Sequence, residues 1–192
     1  MKRAELIRVM VLALGLIVVA GCGQIDPVSL LGKFEGPSAE RATRVAAKVI
    51  GIRTGGHRVK VTKNIMVPMR DGLKLATVVY MPLPEGRHPT ITCRLPYEKK
   101  QWGAVGYILA GNGYVFVIQD TRGSGESEGK NFISVISDHD DGWDMIAWIK
   151  EQPWYNGKMG AWGESFLGRT QWMVADSPDM TCLYPQFTST DG

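Results

Sequence analysis

The sequence has no strong excess of charge of either sign. Lysine and arginine number 22, aspartate and glutamate number 19, and the net charge is +3. Lys2, Arg3 and Arg8 against Glu5 contribute three minus one, or +2, of this total. The rest of the chain is close to neutral, so no basic stripe of the kind that binds nucleic acid remains. The length of 192 residues and the 44% hydrophobic content instead predict one globular domain with a real core.

The sequence also lacks an apolar run that would span a bilayer comfortably. Its N-terminal apolar stretch, Val9 to Ala20, follows a basic start and has the length of a signal-peptide core. The stretch ends in Val19-Ala20-Gly21-Cys22, which resembles a bacterial lipobox and implies cleavage before Cys22, with diacylglycerol on its thiol. An ordinary signal peptide followed by a chance cysteine is the alternative. We expect residues 1–21 to be a lipoprotein signal peptide and Cys22 to anchor an exported protein in a membrane. Gly23 rather than aspartate at the next position favours the outer membrane, facing the periplasm or the cell surface.

Cysteine is scarce beyond that position, and the remaining two are Cys93 and Cys182. Each lies in an apolar stretch typical of a strand. The strand order that we expect places another strand between them, which separates their Cα atoms by about 10 Å, beyond the reach of a disulfide. We therefore predict two buried free thiols.

The order of predicted elements indicates an α/β fold. Residues 22–56 resemble a tether with one short helix over 38–51, and residues 57–192 form the N-terminal part of the main folded domain. Asp71-Gly72 joins two alternating runs, a strong signal for a hairpin. Strands are predicted at 57–69, 73–83, 89–97, 114–120, 158–163 and 181–189, and helices at 103–113, 137–154 and 166–176. This alternation predicts a largely parallel sheet with its chemistry beyond the carboxyl ends of the strands.

Two serines lie in the tripeptide Gly-Glu-Ser, and only one has the context of a nucleophile. Ser127 fits the pattern G-x-S-x-G, but it follows the end of the strand by seven residues and no helix begins after it. Ser165 follows a strand directly and precedes a helix, as a serine on a nucleophile elbow does. A serine that caps the helix is the alternative reading of Ser165. We predict that Ser165 is the nucleophile and that the loop around Ser127 is scaffold.

Neither a cofactor nor a metal is predicted. The glycines around Ser127 lack the lysine of a phosphate-binding loop. Four acidic residues near the start of the helix predicted at 137–154 miss the spacing of a calcium loop, so we expect Ser137 or Asp138 to cap that helix and the others to favour its dipole. These four are Asp138, Asp140, Asp141 and Asp144.

Five stretches of roughly residues 60–192 resemble the X-prolyl dipeptidyl-peptidase-like hydrolases, which include cocaine-esterase-type acylases and esterases. They are VPMRDGLKLATVVYMP, RLPYEK, GYVFVIQDTRGSGESEG, DGWDMIAWIKEQPWYNGKMGAWGESFLGRTQW and LYPQFTSTDG. The resemblance implies an α/β-hydrolase fold and a motif Gly-x-Ser-Tyr-x-Gly, in which Phe166 replaces the tyrosine. It also implies two oxyanion donors, the backbone N–H of Phe166 and the hydroxyl of Tyr97, and a small-molecule ester or peptide as substrate.

A hydrolase of this fold takes its triad in the order serine, aspartate, histidine, and this sequence has no histidine after Ser165. His57, His88 and His139 all precede it. The resemblance therefore covers the N-terminal part of a catalytic domain, and we expect the chain by itself to hardly turn over substrate. A non-catalytic, membrane-tethered module with half of the fold is the alternative.

Overall fold

The computed structural model describes residues 37–49, 51–130 and 135–188. Within these residues, no helix is long and apolar enough to cross a membrane. The predicted signal peptide and Cys22 lie outside the described residues.

The described residues form one six-stranded sheet with the strand order β1-β2-β4-β3-β5-β6. Strands β1 and β2 pair antiparallel, β2 pairs antiparallel with β4, and the remaining neighbours are parallel. The strands are β1 (Arg58–Pro68), β2 (Lys74–Leu83), β3 (His88–Leu95), β4 (Val115–Asp120), β5 (Tyr155–Glu164) and β6 (Met180–Gln186). The helices are α1 (Pro37–Val49), α2 (Gly103–Gly111), α3 (Val135–Lys150) and α4 (Phe166–Trp172), with a short 3₁₀ helix at Lys99–Trp102.

The turn between β1 and β2 is built by Asp71 and Gly72, as the sequence predicts. Gly72 has a φ of +88°, and the side chain of Asp71 accepts a hydrogen bond from the N–H of Leu73 at 3.2 Å. Positive φ favours glycine, and an aspartate can bond its own backbone two residues further on. The predicted hairpin is therefore confirmed.

The core lies on both faces of the sheet because alternate residues of each strand point to opposite sides. On one face, Tyr80 and Phe116 pack with residues of α1 and α2. On the other face, Val79 and Val117 pack with Ile146 and its neighbours on α3. All six residues of β4 are buried, which confirms the interpretation of its apolar run as a central strand.

Several element boundaries differ from the predicted ones. Strand β5 begins at Tyr155, before the Asn-Gly pair predicted as a turn, and its pairing with β3 shifts register at that point. Helix α3 begins at Val135, so Ser137 and Asp138 lie inside it rather than capping it. Helix α4 ends at Trp172, since the chain continues in tighter three-residue turns.

Helix α1 lies in the stretch predicted as a tether, but it packs on the domain. Ala39, Ala46 and Ala47 are buried, and Ala39 belongs to the core next to α2. The guanidinium of Arg44 donates to the carbonyl of Gly55 at 2.7 Å and to that of His57. Small side chains on one face allow this close approach, so the packed unit begins before residue 57.

Both described cysteines are free, but only one is buried. Cys93 on β3 is buried and Cys182 on β6 is exposed, with β5 between the two strands. The predicted separation by one strand is confirmed, whereas the prediction that both thiols are buried is wrong for Cys182. Strand β6 is the last strand of the described sheet, so its side chains have less cover than those of β3.

We expect Cys182 to react with iodoacetamide in the folded protein while Cys93 does not. Burial raises the pKa of the Cys93 thiol, which suppresses the reactive thiolate and also blocks access of the reagent. Peptide mass mapping after native alkylation measures both sites, and alkylation in urea is the control for full access. Equal reaction of the two thiols without denaturant would contradict this burial.

Candidate active site

Ser165 lies on the sharp turn between β5, which ends at Glu164, and α4, which begins at Phe166. Its backbone has φ 52° and ψ −122°, outside the regions that a residue with a side chain ordinarily adopts. Such strain persists only where the surrounding structure holds it, and it is concentrated at functional sites. The predicted strand-turn-helix context is present, and the turn has the strain of a nucleophile elbow.

Two glycines allow this turn to close. A Cβ on Gly163, whose φ is +147°, would lie 2.4 Å from the Cβ of Leu167. A Cβ on Gly168 would lie 2.6 Å from Cγ2 of Thr188. Both distances are too short for real atoms, so each glycine permits a close approach between the helix and a strand or its following loop. The glycine at 168, one position later than in G-x-S-x-G, is thus required by packing.

We expect Gly163→Ala to destabilise the fold by about 2–4 kcal/mol, the sum of positive-φ strain and overpacking. Gly157→Ala is the matched control, because Gly157 also has positive φ (+91°) on β5, but a methyl group there would enter open space. The control should lose only the strain contribution, about 1–2 kcal/mol. Urea unfolding measures both, and equal losses would show that the contact with Leu167 does not matter.

The interactions of Ser165 do not fit a helix cap. Its side chain makes no capping hydrogen bond, and its hydroxyl has no partner in the described part of the chain. The residue is exposed, while its carbonyl accepts the N–H groups of Gly168 and Arg169, each at 3.0 Å. The N–H of Phe166 likewise bonds no acceptor among the described residues. The turn therefore presents a free hydroxyl beside a free N–H donor.

Helix α4 is held on the sheet by two polar side chains. The hydroxyl of Thr170 donates to the carbonyl of Arg94 on β3 at 3.1 Å. The amide of Gln171 donates to the carbonyl of Gly163 on β5 at 3.1 Å. Both side chains are buried, so these bonds fix the angle between helix and sheet, and with it the position of Ser165.

Tyr97 lies beside this turn. It follows the end of β3, which is parallel to β5, so both strands deliver their next residues to the same edge of the sheet. The ring of Tyr97 meets that of Phe166 edge to face, with 6.4 Å between centroids. The guanidinium carbon of Arg169 lies 5.1 Å from the centroid of Phe166 on α4. The structure thus brings together the three residues Tyr97, Ser165 and Phe166 that the sequence singles out.

The other candidate serine, Ser127, has a hydroxyl that is already bonded on both sides. It donates to the carbonyl of Asp120 at 2.8 Å and accepts the N–H of Ala76 at 2.9 Å. A hydroxyl with this arrangement ties a loop to two strands and is not directed at a reacting group. This observation favours the scaffold interpretation of the first Gly-Glu-Ser.

The three histidines are all among the described residues, and none bonds Ser165. His57 and His88 lie 6.0 Å apart, ring to ring, at the edge of the sheet where β3 begins. The eight residues of β3 separate that edge from the one that carries Ser165 by roughly 23 Å. His139 on α3 contacts Asp140, with Nδ1 3.2 Å from Oδ1, and packs against Trp143.

The acidic residues of α3 form ion pairs with arginines. The sequence analysis did not predict these pairs. Arg122 holds Asp141 through two bonds, Nη2 to Oδ1 at 2.6 Å and Nε to Oδ2 at 3.2 Å. Arg94 is buried within β3 and brings its own guanidinium to 3.5 Å from Asp141. Among the residues described, no cluster of three metal-ligating side chains occurs. The acidic cluster is therefore a set of ion pairs that fastens α3 to the sheet.

A groove of about 760 Å³ lies between α1, the β1–β2 hairpin and the start of α2. Basic side chains line it, including Arg41, Arg58 and Lys100. Ser165, Tyr97 and Phe166 are not part of its wall. The groove is therefore not the site formed by these three residues.

The fold is that of the α/β hydrolases. The alpha/beta hydrolase GrgF from Penicillium sp. sh18 has a TM-score of 0.60 at 20% identity, covering 66% of this chain and 45% of that one. An alpha-amino acid ester hydrolase has a TM-score of 0.61 at 28% identity, covering 73% of this chain and 27% of that one. The predicted fold class is confirmed.

The chain belongs to the X-Pro dipeptidyl-peptidase (S15) family, whose model matches residues 71–192. A cocaine esterase of Rhodococcus sp. (strain MB1 Bresler) is 40% identical in an alignment 139 residues long, which covers 68% of this chain and 24% of that protein. A putative serine esterase of Mycobacterium tuberculosis (strain CDC 1551 / Oshkosh) is 31% identical in an alignment 151 residues long, which covers 65% of this chain and 24% of that protein. The chain thus belongs to a family of hydrolases and spans about a quarter of the length of these curated relatives.

Proposed function

We propose that this chain carries the nucleophile of a serine hydrolase that cleaves ester or peptide bonds through an acyl-enzyme on Ser165. The observation that carries the proposal is the strained backbone of Ser165, whose exposed hydroxyl has no partner among the described residues. The strain has no function in a helix cap, whereas a nucleophile needs it in order to project from the turn.

The proposed oxyanion donors are the N–H of Phe166 and the hydroxyl of Tyr97. When the oxygen of Ser165 attacks the substrate carbonyl, negative charge develops on the carbonyl oxygen. A free N–H one residue after the nucleophile supports the first assignment, because that N–H is the oxyanion donor in this fold. The ring of Tyr97 lies 6.4 Å from that of Phe166, centroid to centroid, and this proximity supports the second assignment.

The proton of Ser165 needs a base, and we propose that the base is a histidine encoded beyond residue 192 and oriented by an aspartate. Two of the three histidines present lie at the opposite edge of the sheet, and relatives of the family are about four times as long as the matched part. Without that base the chain of 192 residues should turn over esters only slowly, because loss of a triad member costs several orders of magnitude in rate.

The proposed substrate is a small molecule with an ester bond or a peptide with an amide bond. The names of the relatives include a cocaine esterase and an X-Pro dipeptidyl-peptidase family, and both reactions pass through attack on a carbonyl.

We also propose that the protein is exported and anchored in the outer membrane through a lipid on Cys22. Intact mass measurement of the protein from membranes tests the anchor, and an unmodified, retained N-terminus would exclude it.

The experiment that tests the function compares two chains. The DNA downstream of codon 192 is read in all frames, and the chain of 192 residues and any extended chain are assayed with p-nitrophenyl acetate. We expect the extended chain to be faster by about 10⁴-fold or more. Equal rates of the two chains would contradict the proposal that the catalytic base is encoded beyond residue 192. Absence of a frame that encodes an aspartate followed by a histidine would favour a non-catalytic, membrane-tethered module instead.

A further inference from the structure

Tyr97 is held by a short, exposed segment that needs external support. Residues 96–98 connect β3 to the 3₁₀ helix, and the side chain of Tyr97 is 47% exposed. A hydrogen-bond donor in an active site has to be positioned accurately, since a misplacement of about 1 Å can reduce the rate about 100-fold. The contact of Tyr97 with the ring of Phe166 does not by itself fix the backbone of the segment.

Both ends of the segment are fastened to the end of β4 and the loop that follows it. At one end, the carbonyl of Leu95 accepts the N–H of Thr121 at 2.8 Å. At the other end, the ammonium group of Lys99 donates to the carboxylate of Asp120, and to Glu126 at 2.8 Å. Tyr97 is thus the central residue of a three-residue span between two fixed points.

The pair of Lys99 and Asp120 is unusual because it is buried. Lys99 is 6% exposed and Asp120 is fully buried, while Glu126 lies at the surface. The desolvation of two charges offsets much of their attraction, so an apolar pair of similar volume would stabilise the fold equally well. Unlike an apolar pair, an ion pair fixes the position of the Lys99 side chain, because the ammonium group can satisfy its hydrogen bonds only where the carboxylates lie.

Asp120 is itself fixed by the first Gly-Glu-Ser. Its Oδ2 accepts the N–H of Glu126 at 3.0 Å, and its carbonyl accepts the hydroxyl of Ser127 at 2.8 Å. A Cβ on Gly125 would lie 2.3 Å from Oδ2 of Asp120, so the loop closes around the carboxylate only with glycine there. The loop is therefore shaped to present this carboxylate to Lys99.

We propose that Lys99, Asp120 and Glu126 form a clasp that positions Tyr97 beside Ser165, with Lys99 as the positioning residue. The proposal rests on the proposed function, because Tyr97 needs positioning only if it is an oxyanion donor. It also assigns a structural function to the Gly-Glu-Ser loop around Ser127. This loop fixes the carboxylate of Asp120, which in turn binds the ammonium group of Lys99.

The first test measures the order of Tyr97 without any need for turnover. The protein is labelled with 3-fluorotyrosine, and loss of one fluorine resonance in Tyr97→Phe assigns that residue among the six tyrosines. Because Lys99→Met leaves a buried carboxylate unpaired and can unfold the chain, the double variant Lys99→Met/Asp120→Asn is used beside it. Lys100→Met is the control, since Lys100 is the exposed neighbour of Lys99 and its ammonium group lies 3.7 Å from Glu98.

In the folded double variant, we expect the chemical shift of the Tyr97 fluorine to move towards its value in urea and its line width to decrease, because the ring becomes more mobile. The other five tyrosines should keep their shifts, and all six should keep them in Lys100→Met. An unchanged Tyr97 resonance in the folded double variant would overturn the clasp, whatever the outcome for Ser165. Circular dichroism confirms that each variant is folded.

The second test uses whichever chain hydrolyses p-nitrophenyl acetate. Lys99→Met/Asp120→Asn should lower kcat by about 10- to 100-fold with little change in KM, and should cause no further loss in a Tyr97→Phe background. An equal loss in that background would show that the lysine does not act through Tyr97. If no chain turns over the ester, the proposed function fails while the resonance of Tyr97 still decides whether the clasp orders it.

Discussion

Substitution of Ser165 by alanine is expected to lower kcat for ester hydrolysis by the extended chain by about 10⁶-fold, to the level set by binding and the oxyanion donors. The reason is that, in the proposed function, the hydroxyl of Ser165 forms the acyl bond, and no neighbour in the described part of the chain can take its place. Steady-state hydrolysis of p-nitrophenyl acetate measures the change. Circular dichroism should show an unaltered fold, because the exposed hydroxyl of Ser165 makes no hydrogen bond to any described residue.

Ser127→Ala is the matched control for that result, since Ser127 follows the same Gly-Glu pair in the sequence. Loss of this hydroxyl removes two hydrogen bonds between the loop and strands β2 and β4, so we expect stability to fall by about 1–2 kcal/mol. The acyl-enzyme should still form. Hydrolysis that survives Ser165→Ala and disappears in Ser127→Ala would reverse the assignment of the two serines.

Substitution of Arg122 by methionine is expected to lower the free energy of unfolding by about 3–5 kcal/mol. Asp141 is fully buried and holds Arg122 through two bonds. Methionine fills a similar volume but leaves the carboxylate without its closest partner, and Arg94 at 3.5 Å compensates only in part. Because Asp141 lies on α3 and Arg122 follows β4, the helix should detach first. Urea unfolding monitored by tryptophan fluorescence measures the change.

Two further variants separate this effect from loss of a surface charge. Lys60→Met breaks an exposed ion pair with Glu85, whose side chains are 53% and 57% exposed, and should cost less than about 1 kcal/mol. Arg122→Met/Asp141→Leu removes both charges and should recover part of the stability, because buried Arg94 then loses Asp141. A loss for Arg122→Met no larger than that for Lys60→Met would show that Asp141 does not depend on its buried pairing.

The sequence predicted best those features that are local. The Asp71-Gly72 hairpin and the elbow at Ser165 are each determined by a few adjacent residues, and both were found at the predicted positions. The start of β5 was missed because the Asn-Gly pair that normally makes a turn lies inside the strand, where a register shift accommodates it. In that case pairing with a neighbouring strand outweighs the local preference.

The buried ion pairs of Arg94 and Lys99 could not be predicted from the sequence. A lysine or an arginine that follows an apolar run ordinarily extends into solvent, and only the tertiary fold brings Asp120 to Lys99 and Asp141 to Arg94. The exposure of Cys182 was missed for a similar reason, because an apolar strand pattern does not show whether the strand has cover on both sides. The proximity of Tyr97 to Ser165 came from the family resemblance and not from any pattern of residues.

The most direct test of the central claim is the site at which a fluorophosphonate attaches to the protein. Trypsin separates the two candidate serines, since residues 159–169 contain Ser165 and residues 123–130 contain Ser127. Peptide mass mapping of the labelled extended chain should find the phosphonate on 159–169 alone, with little labelling of the chain of 192 residues. Attachment to 123–130, or to any peptide other than 159–169, would contradict Ser165 as the nucleophile.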